Sequence, residues 1–277
     1  MEINKIYNEN CLETMAKMPD NFIDLTVTSP PYDNLRTYNG YSFSFEEIAK
    51  ELFRVTKQGG VVVWIVGDAT IKGSETGTSF KQALYFKEIG FKLHDTMIYE
   101  KANFSMPQKN RYHQIFEYMF VFSKGKPKTF NPIIDRKNKW VGHTCLGKNT
   151  VRLKNGEMQE ISKGEPVKEF GKRFNIWRMN TVGQENMCKK LPHPAMFPEQ
   201  LANDHIISWS NEGDLVYDPF MGSGTTAKMA ILNNRNWIGS EISSEYCNII
   251  EERVKKALEE KRKEKDLQAQ SLFGNDF

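Results

Sequence analysis

Cysteine is scarce in this chain of 277 residues: Cys11, Cys145, Cys188 and Cys247 are its only four. They are too few and too scattered for a disulfide framework, so reduced thiols are expected. No run of about 18 apolar residues occurs, which excludes an apolar membrane-spanning helix. The N-terminus lacks the basic-then-apolar order of a secretory leader, and a cytoplasmic location is the expectation. Histidine is sparse as well, with five residues. His143, Cys145, Cys188 and His193 lack the tight paired spacing of a structural zinc site, so no metal is expected.

Net charge is small, only +3, but its distribution is uneven. Residues 124–190 hold 16 lysines and arginines, among them Lys124, Lys126, Lys128, Arg136, Lys137, Lys139, Arg152, Lys172 and Arg173, against 6 acids. A surplus of ten there leaves the rest of the chain at −7. A basic segment in an acidic body is the asymmetry of a polyanion-binding face, although a run of lysines is also what a solvated loop looks like.

Hydrophobic periodicity predicts strands alternating with helices. Phe22 to Thr28 reads as a β-branched strand, Phe45, Ile48, Leu52 and Val55 recur at helical spacing, and Val61 to Val66, after the Gly59-Gly60 break, reads as a strand buried on both faces. A helix over about 79–89 and strands near 95–100 and 115–122 follow. From Lys124 the pattern degrades, and it recovers only at Leu191. A structureless loop of that length does not belong in a compact domain, so 124–190 is read as a small inserted region between 1–123 and 191–277. The second half predicts a helix over 198–210, a strand over 214–217, a helix over 225–232, a strand over 237–240 and a long charged helix from about 243 to 268. The fold class is α/β, with a doubly wound parallel sheet.

Two segments carry the chemistry. Thr28-Ser29-Pro30-Pro31-Tyr32 joins a small hydroxyl, a stiff diproline and an aromatic ring at a strand end. About 190 residues later, Asp218-Pro219-Phe220-Met221-Gly222-Ser223-Gly224-Thr225-Thr226 is a glycine turn between strand and helix. In a doubly wound sheet ligands sit at the carboxyl ends of strands, where both segments fall. Glycine turns alone are weak evidence, but Glu241 stands about 20 residues on, at the end of the next strand, where an acid accepts hydrogen bonds from ribose hydroxyls. Together the two segments resemble the motifs of the S-adenosylmethionine-dependent DNA amino-methyltransferases, and their order resembles the permuted β class of that family.

The resemblance covers most of 1–123 and 191–250, and it implies a Rossmann-like methyltransferase sheet, permuted, with 124–190 as a target-recognition insert. It implies S-adenosylmethionine as cofactor, held by Asp218, Phe220, Gly222, Ser223, Gly224, Thr225, Thr226 and Glu241. His193-Pro194-Ala195-Met196-Phe197-Pro198 resembles the family segment whose phenylalanine, here Phe197, packs on the cofactor. Asn10-Cys11 stands where the family commonly has Asp-Cys, with the acid accepting from the adenine amino group. An amide oxygen accepts the same bond without charge, so Asn10 is a weaker adenine contact.

An exocyclic base amine is a poor nucleophile because its lone pair is delocalised into the ring. Ser29 Oγ and the Pro30 carbonyl are acceptors for its protons, Pro31 fixes the turn, and Tyr32 offers a stacking surface to an extruded base. No cysteine follows a proline, which argues against the thiolate route to carbon-5 methylation. Asp33 and Asp68 are candidates either to contact ligand or to cap turns. His94, His113 and His205 read as core or surface residues, with His113, beside Arg111 and Tyr112, within reach of DNA. Within the family Ser-Pro-Pro-Tyr looks like the cytosine-N4 version, with adenine-N6 as the alternative. Double-stranded DNA is the expected partner. A cognate restriction endonuclease and a homodimer are partners the family admits, and no residue pattern selects either. A silent DNA-binding protein or an RNA or protein amine methyltransferase are the readings from other classes.

Overall fold

The computed structural model describes residues 1–31, 43–103, 109–144, 149–161, 166–180 and 198–273. Tyr32, Asp33, Cys145, Cys188, His193 and Phe197 lie outside them. Two compact units result, one of Met1–Asn131 with Asn175–Phe277 and one of Pro132–Phe174.

The larger unit opens with strand β1 (Lys5–Tyr7), helix α1 (Cys11–Ala16) and strand β2 (Ile23–Thr28), whose six residues are all buried. Helix α2 (Phe45–Val55) buries Ile48, Ala49, Leu52 and Val55, the single face that the sequence spacing predicts. Strand β3 (Thr56–Val66) starts directly after it. Gly59-Gly60 therefore does not break the chain ahead of the strand, as the sequence reading has it, but sits inside the strand as an irregularity where the β2 register shifts. A Cβ on Gly60 would lie 2.8 Å from Thr56 Cγ2 and 2.9 Å from the Lys57 carbonyl oxygen, so only glycine fits. A short hairpin, β4 (Thr70–Ile71) with β5 (Ser74–Glu75), leads into helix α3 (Thr78–Glu88) and then strands β6 (Lys92–Lys101) and β7 (Phe116–Ser123).

After the smaller unit come strand β12 (Ile176–Met179), helix α4 (Glu199–Trp209), strand β13 (Leu215–Asp218), helix α5 (Thr225–Leu232), strand β14 (Asn236–Ser240) and the long helix α6 (Ser244–Phe273). Eight strands form one sheet in the order β1-β14-β13-β2-β3-β7-β6-β12. All run parallel except β7, which is antiparallel to both β3 and β6. The expected all-parallel sheet is corrected there. A parallel pair needs a crossover connection, whereas no helix lies in the described part of the β6–β7 connection, and the chain returns beside the strand it left.

Side-chain parity sorts the core into two faces. Val62, Trp64, Val66, Phe120, Phe122, Leu215 and Tyr217 pack in one cluster with residues of α1, α2 and α3. The alternate residues Val61, Val63, Ile65, Val121 and Val216 are buried too, as strands covered on both faces must be. Helices α4, α5 and α6 pack with one another as a second group. The result is a doubly wound α/β sheet. Among the described residues no helix is long and apolar enough to cross a membrane.

The smaller unit, Pro132–Phe174, lies within the 124–190 segment. Residues 124–131 belong with the sheet, and β12 extends it as an edge strand on β6 that buries Trp177 and Met179 in alternation. The smaller unit holds two antiparallel ladders, β8 (Arg136–Lys137) with β11 (Phe170–Gly171) and β9 (Asn149–Arg152) with β10 (Met158–Ile161). The basic surplus is also divided. Lys128 Nζ lies 2.5 Å from Asp24 Oδ1, and Lys124 Nζ donates to Asn21 Oδ1 and to the carbonyls of Phe53 and Thr56. Both lysines are tied to the start of β2 and the α2–β3 junction, at the sheet's amino edge. Lys137, Lys139, Arg152 and Lys154 are exposed within the smaller unit, where Arg173 pairs with Asp135.

Candidate active site

Strands β1, β14, β13 and β2 are parallel neighbours, so their carboxyl ends meet at one edge of the sheet. That edge brings together Asn8 to Cys11 after β1, Glu241 after β14, the glycine turn after β13, and Ser29-Pro30-Pro31 after β2. Segments more than 200 residues apart in the chain become side-by-side loops.

Asp218, the last residue of β13, ties the two motifs. Its Oδ1 accepts from Thr28 Oγ1 at 2.6 Å and from the Phe220 N–H at 3.0 Å, while its Oδ2 accepts from Thr226 Oγ1 at 2.7 Å. The residue before Ser29, the strand end and the first turn of α5 therefore share one buried carboxyl. Burial pushes its pKa up to about 6, against the lowering effect of those three donors.

Glu241 performs the matching task on the other side of the turn. Its Oε2 accepts the Gly222 N–H at 2.9 Å, its Oε1 accepts the Ser243 N–H at 2.9 Å, and its own N–H donates to the Tyr7 carbonyl at 3.0 Å. Burial raises this carboxyl above the ordinary range. Gly224 caps α5 at φ +83°, and a Cβ there would come within 3.2 Å of Ile250 Cγ1. A side chain is disfavoured by the conformation and would crowd Ile250.

The predicted site residues divide by exposure. Asn10, Ser29, Pro31, Phe220, Gly222 and Glu241 are partly open at the edge; Cys11, Pro30, Asp218, Ser223, Gly224, Thr225 and Thr226 are buried. Asp218, 1% exposed, has both oxygens engaged and braces the turn, with Thr226 as its partner. Asn10 Oδ1 accepts the Leu12 N–H at 2.9 Å and so caps α1, a role the sequence reading does not assign it. Phe220 lies edge-on to Phe43 and Trp64, at ring-centroid separations of 5.7 and 6.3 Å. Asp68 accepts from the Ser79 N–H at 2.9 Å at the start of α3, so it caps a helix. His205 is fully enclosed against Trp177, and burial lowers its pKa to about 3, which keeps it neutral core. His143 packs edge-on to Trp140.

One group in the site has no sequence signal beyond a charged helix. Arg253 of α6 donates through Nη1 to the Ser223 carbonyl at 2.7 Å and to Ser223 Oγ at 2.9 Å, and through Nη2 to Glu199 Oε1 at 2.7 Å. Lys228 of α5 reaches the same carboxylate at 2.8 Å. Glu199 opens α4, so this network fixes three helices around the glycine turn. Arg253 is only 14% exposed, which makes its bonds costly to lose.

Comparison with known proteins accords with this arrangement. Orphan methyltransferase M.BamHII of Bacillus amyloliquefaciens is 67% identical over 235 residues, covering 84% of this chain and 89% of that protein. Type II methyltransferase M.BglII of Bacillus subtilis is 28% identical, over 89% of this chain and 68% of the relative. The PvuII cytosine-N4-specific DNA methyltransferase has the same fold, with a TM-score of 0.64 at 22% identity over 90% of this chain and 85% of that one. M1.HpyAVI in complex with SAM superposes with a TM-score of 0.60 at 21% identity, over 90% and 98% of the two chains. The N6/N4 DNA methylase family model matches residues 23–252. A sheet that gathers a Ser-Pro-Pro turn and a glycine turn at one edge, in the permuted order, thus belongs to a member of the N6/N4 DNA methylase family.

Proposed function

We propose that this DNA methyltransferase transfers a methyl group from S-adenosylmethionine to the exocyclic N4 amine of a cytosine turned out of duplex DNA. The observation that carries the reading is the Asp218 bridge, which sets Ser29 beside the glycine turn on one edge of the sheet. The donor set suits a nucleoside cofactor. A carboxylate has about four lone-pair positions, and the backbone N–H groups of Gly222, Ser243 and Ile242 bear on Glu241, which leaves an acceptor position for a ribose hydroxyl. Gly222, Phe220 and Asn10 would complete the cofactor's surroundings, and Phe197 is proposed to join them. When bound, S-adenosylmethionine supplies an electrophilic methyl carbon.

The chain's own residues act on the amine. Ser29 Oγ and the Pro30 carbonyl accept its two N–H bonds, which lets the nitrogen turn toward sp³ and frees its lone pair. Pro31 restricts the backbone, and Tyr32 is assigned the stacking face. The site works by proximity and electrostatics, with no covalent enzyme intermediate. A serine hydroxyl is a neutral acceptor, and Ser29 in place of an acid favours cytosine-N4 over adenine-N6. The 67% identical relative is named an orphan methyltransferase, which supports action without a cognate endonuclease. A cytoplasmic location fits a substrate of genomic DNA.

Residues 124–190, and within them the unit Pro132–Phe174, are assigned to target recognition. Trp140 is 69% exposed there, and Arg136 lies over the Phe174 ring at 4.5 Å. Exposed lysines with interleaved aromatics suit phosphates and bases. Reversing Lys137 and Lys139 to glutamate should weaken DNA binding and flatten its log–log salt dependence by roughly 0.9 per lost contact, with cofactor binding retained. Unchanged affinity and slope would show those lysines to be merely solvated.

Arg253→Ala should loosen the glycine turn and weaken S-adenosylmethionine binding roughly tenfold, the scale of about 1.5 kcal/mol for a hydrogen bond to a charged group. Isothermal calorimetry without DNA measures it, and wild-type affinity would dismiss the clamp. The activity itself is tested by incubating the chain with methyl-tritiated S-adenosylmethionine and duplex DNA. Label should enter DNA, and its absence would leave a silent binding protein as the better account.

A further inference from the structure

The described parts of the β6–β7 connection, 102–103 and 109–115, lie at the same carboxyl edge as the active site, because β6 runs parallel to β2 and β3 while β7 runs back. The ladder closes where the Lys101 N–H donates to the Ile115 carbonyl. Beyond it Arg111, in the described stretch 109–115, is braced. Arg111 Nη2 donates to the Gly73 carbonyl at 2.6 Å, and its Nη1 lies 3.4 Å from Thr70 Oγ1 and 3.9 Å from Glu75 Oε1. One guanidinium, 28% exposed, thus ties Arg111 to the β4–β5 hairpin.

The next residue, Tyr112, is 99% exposed. A large ring held wholly in water, next to a residue whose side chain is fastened, gives nothing to the core, yet an aromatic ring loses little conformational freedom when it meets a partner. β6 is three strand spacings from β2, which at about 4.8 Å each is roughly 14 Å. That is the scale of a DNA groove, about 12 Å.

We propose that Tyr112 is a positioning residue that stacks into the duplex at the target step and stabilises the open state of the base pair. The proposal rests on the methyltransferase reading above. Apolar side chains inserted between base steps unstack them, and one base–aromatic stack corresponds to a roughly ten- to hundredfold effect.

The test uses the full chain and an oligonucleotide duplex carrying its methylation site, mapped beforehand on plasmid DNA. Single-turnover methylation is compared for wild type, Tyr112→Ala and Tyr112→Phe on the matched duplex and on one whose target base faces an abasic site, where unpairing is already done. Tyr112→Ala should be slowed roughly ten- to hundredfold on the matched duplex and stay near wild type on the abasic one, with Tyr112→Phe near wild type on both. Cofactor affinity should not change. Full activity of Tyr112→Ala on the matched duplex would overturn the proposal, and so would an equal loss on both duplexes, which would mark a general contact. Failure of the wild-type chain to methylate any duplex would instead remove the function on which the proposal stands.

Discussion

Replacing Ser29 by alanine should lower the single-turnover methylation rate by roughly 10²- to 10³-fold while S-adenosylmethionine affinity stays near wild type. The expected loss is about 2.7–4 kcal/mol, the scale for removing one hydrogen-bonding group that acts on the transition state. The turn itself survives the change, because its position is set by Thr28, whose hydroxyl is held by Asp218, and by the diproline that follows. Rapid-quench methylation with calorimetry on the same preparation separates the two readouts. An undiminished rate would take Ser29 out of the chemistry, and a parallel loss of cofactor affinity would make it a binding residue.

Asp218 should give a pH signature that its own substitution isolates. Its folded pKa is about 6 against an ordinary value of 3.8, so between those values the native protein holds a proton that the unfolded chain has released. By linkage its contribution is complete below about pH 4 and is lost as pH rises through 6; two pKa units correspond to roughly 3 kcal/mol. Asp218→Asn has no proton to lose. Urea denaturation from pH 4 to 7 should show the stability difference moving in favour of the variant as pH rises. A difference that is flat, or that moves the other way, would contradict the buried, raised carboxyl. Asp218→Ala leaves Thr28, Thr226 and the Phe220 N–H without their acceptor, and its cost should be several kcal/mol at any pH, at about 1–3 kcal/mol per stranded group.

The sequence is legible where its chemistry is local. The Ser-Pro-Pro turn, the glycine turn and Glu241 each announce themselves within a few residues, and β2, α2, α3, α4, α5 and β14 follow from periodicity at nearly their observed bounds. What was hidden depends on distant partners. Arg253 reads as one more charge on a polar helix until the fold sets it against Ser223 and Glu199, 30 and 54 residues away. Lys124 and Lys128 look like part of a DNA-binding cluster, yet their ammonium groups serve Asn21, backbone carbonyls and the buried Asp24 at the other edge of the sheet. β12 carries a period-two pattern, Ile176-Trp177-Arg178-Met179, too short to stand out from its lysine-rich surroundings. The reversal of β7 is a property of the connection before it, which strand composition does not record.

The fold and the family together leave one chemical identity to be read directly, the nitrogen that receives the methyl group. Duplex DNA from a methylation-free source, incubated with the protein and S-adenosylmethionine and then digested to nucleosides, reports it by mass spectrometry. The account predicts N4-methylcytosine, formed by the wild-type chain and reduced at least 100-fold by Ser29→Ala. N6-methyladenine in its place would contradict the assignment of Ser29 to a cytosine amine, and a digest with no methylated base would contradict the active site.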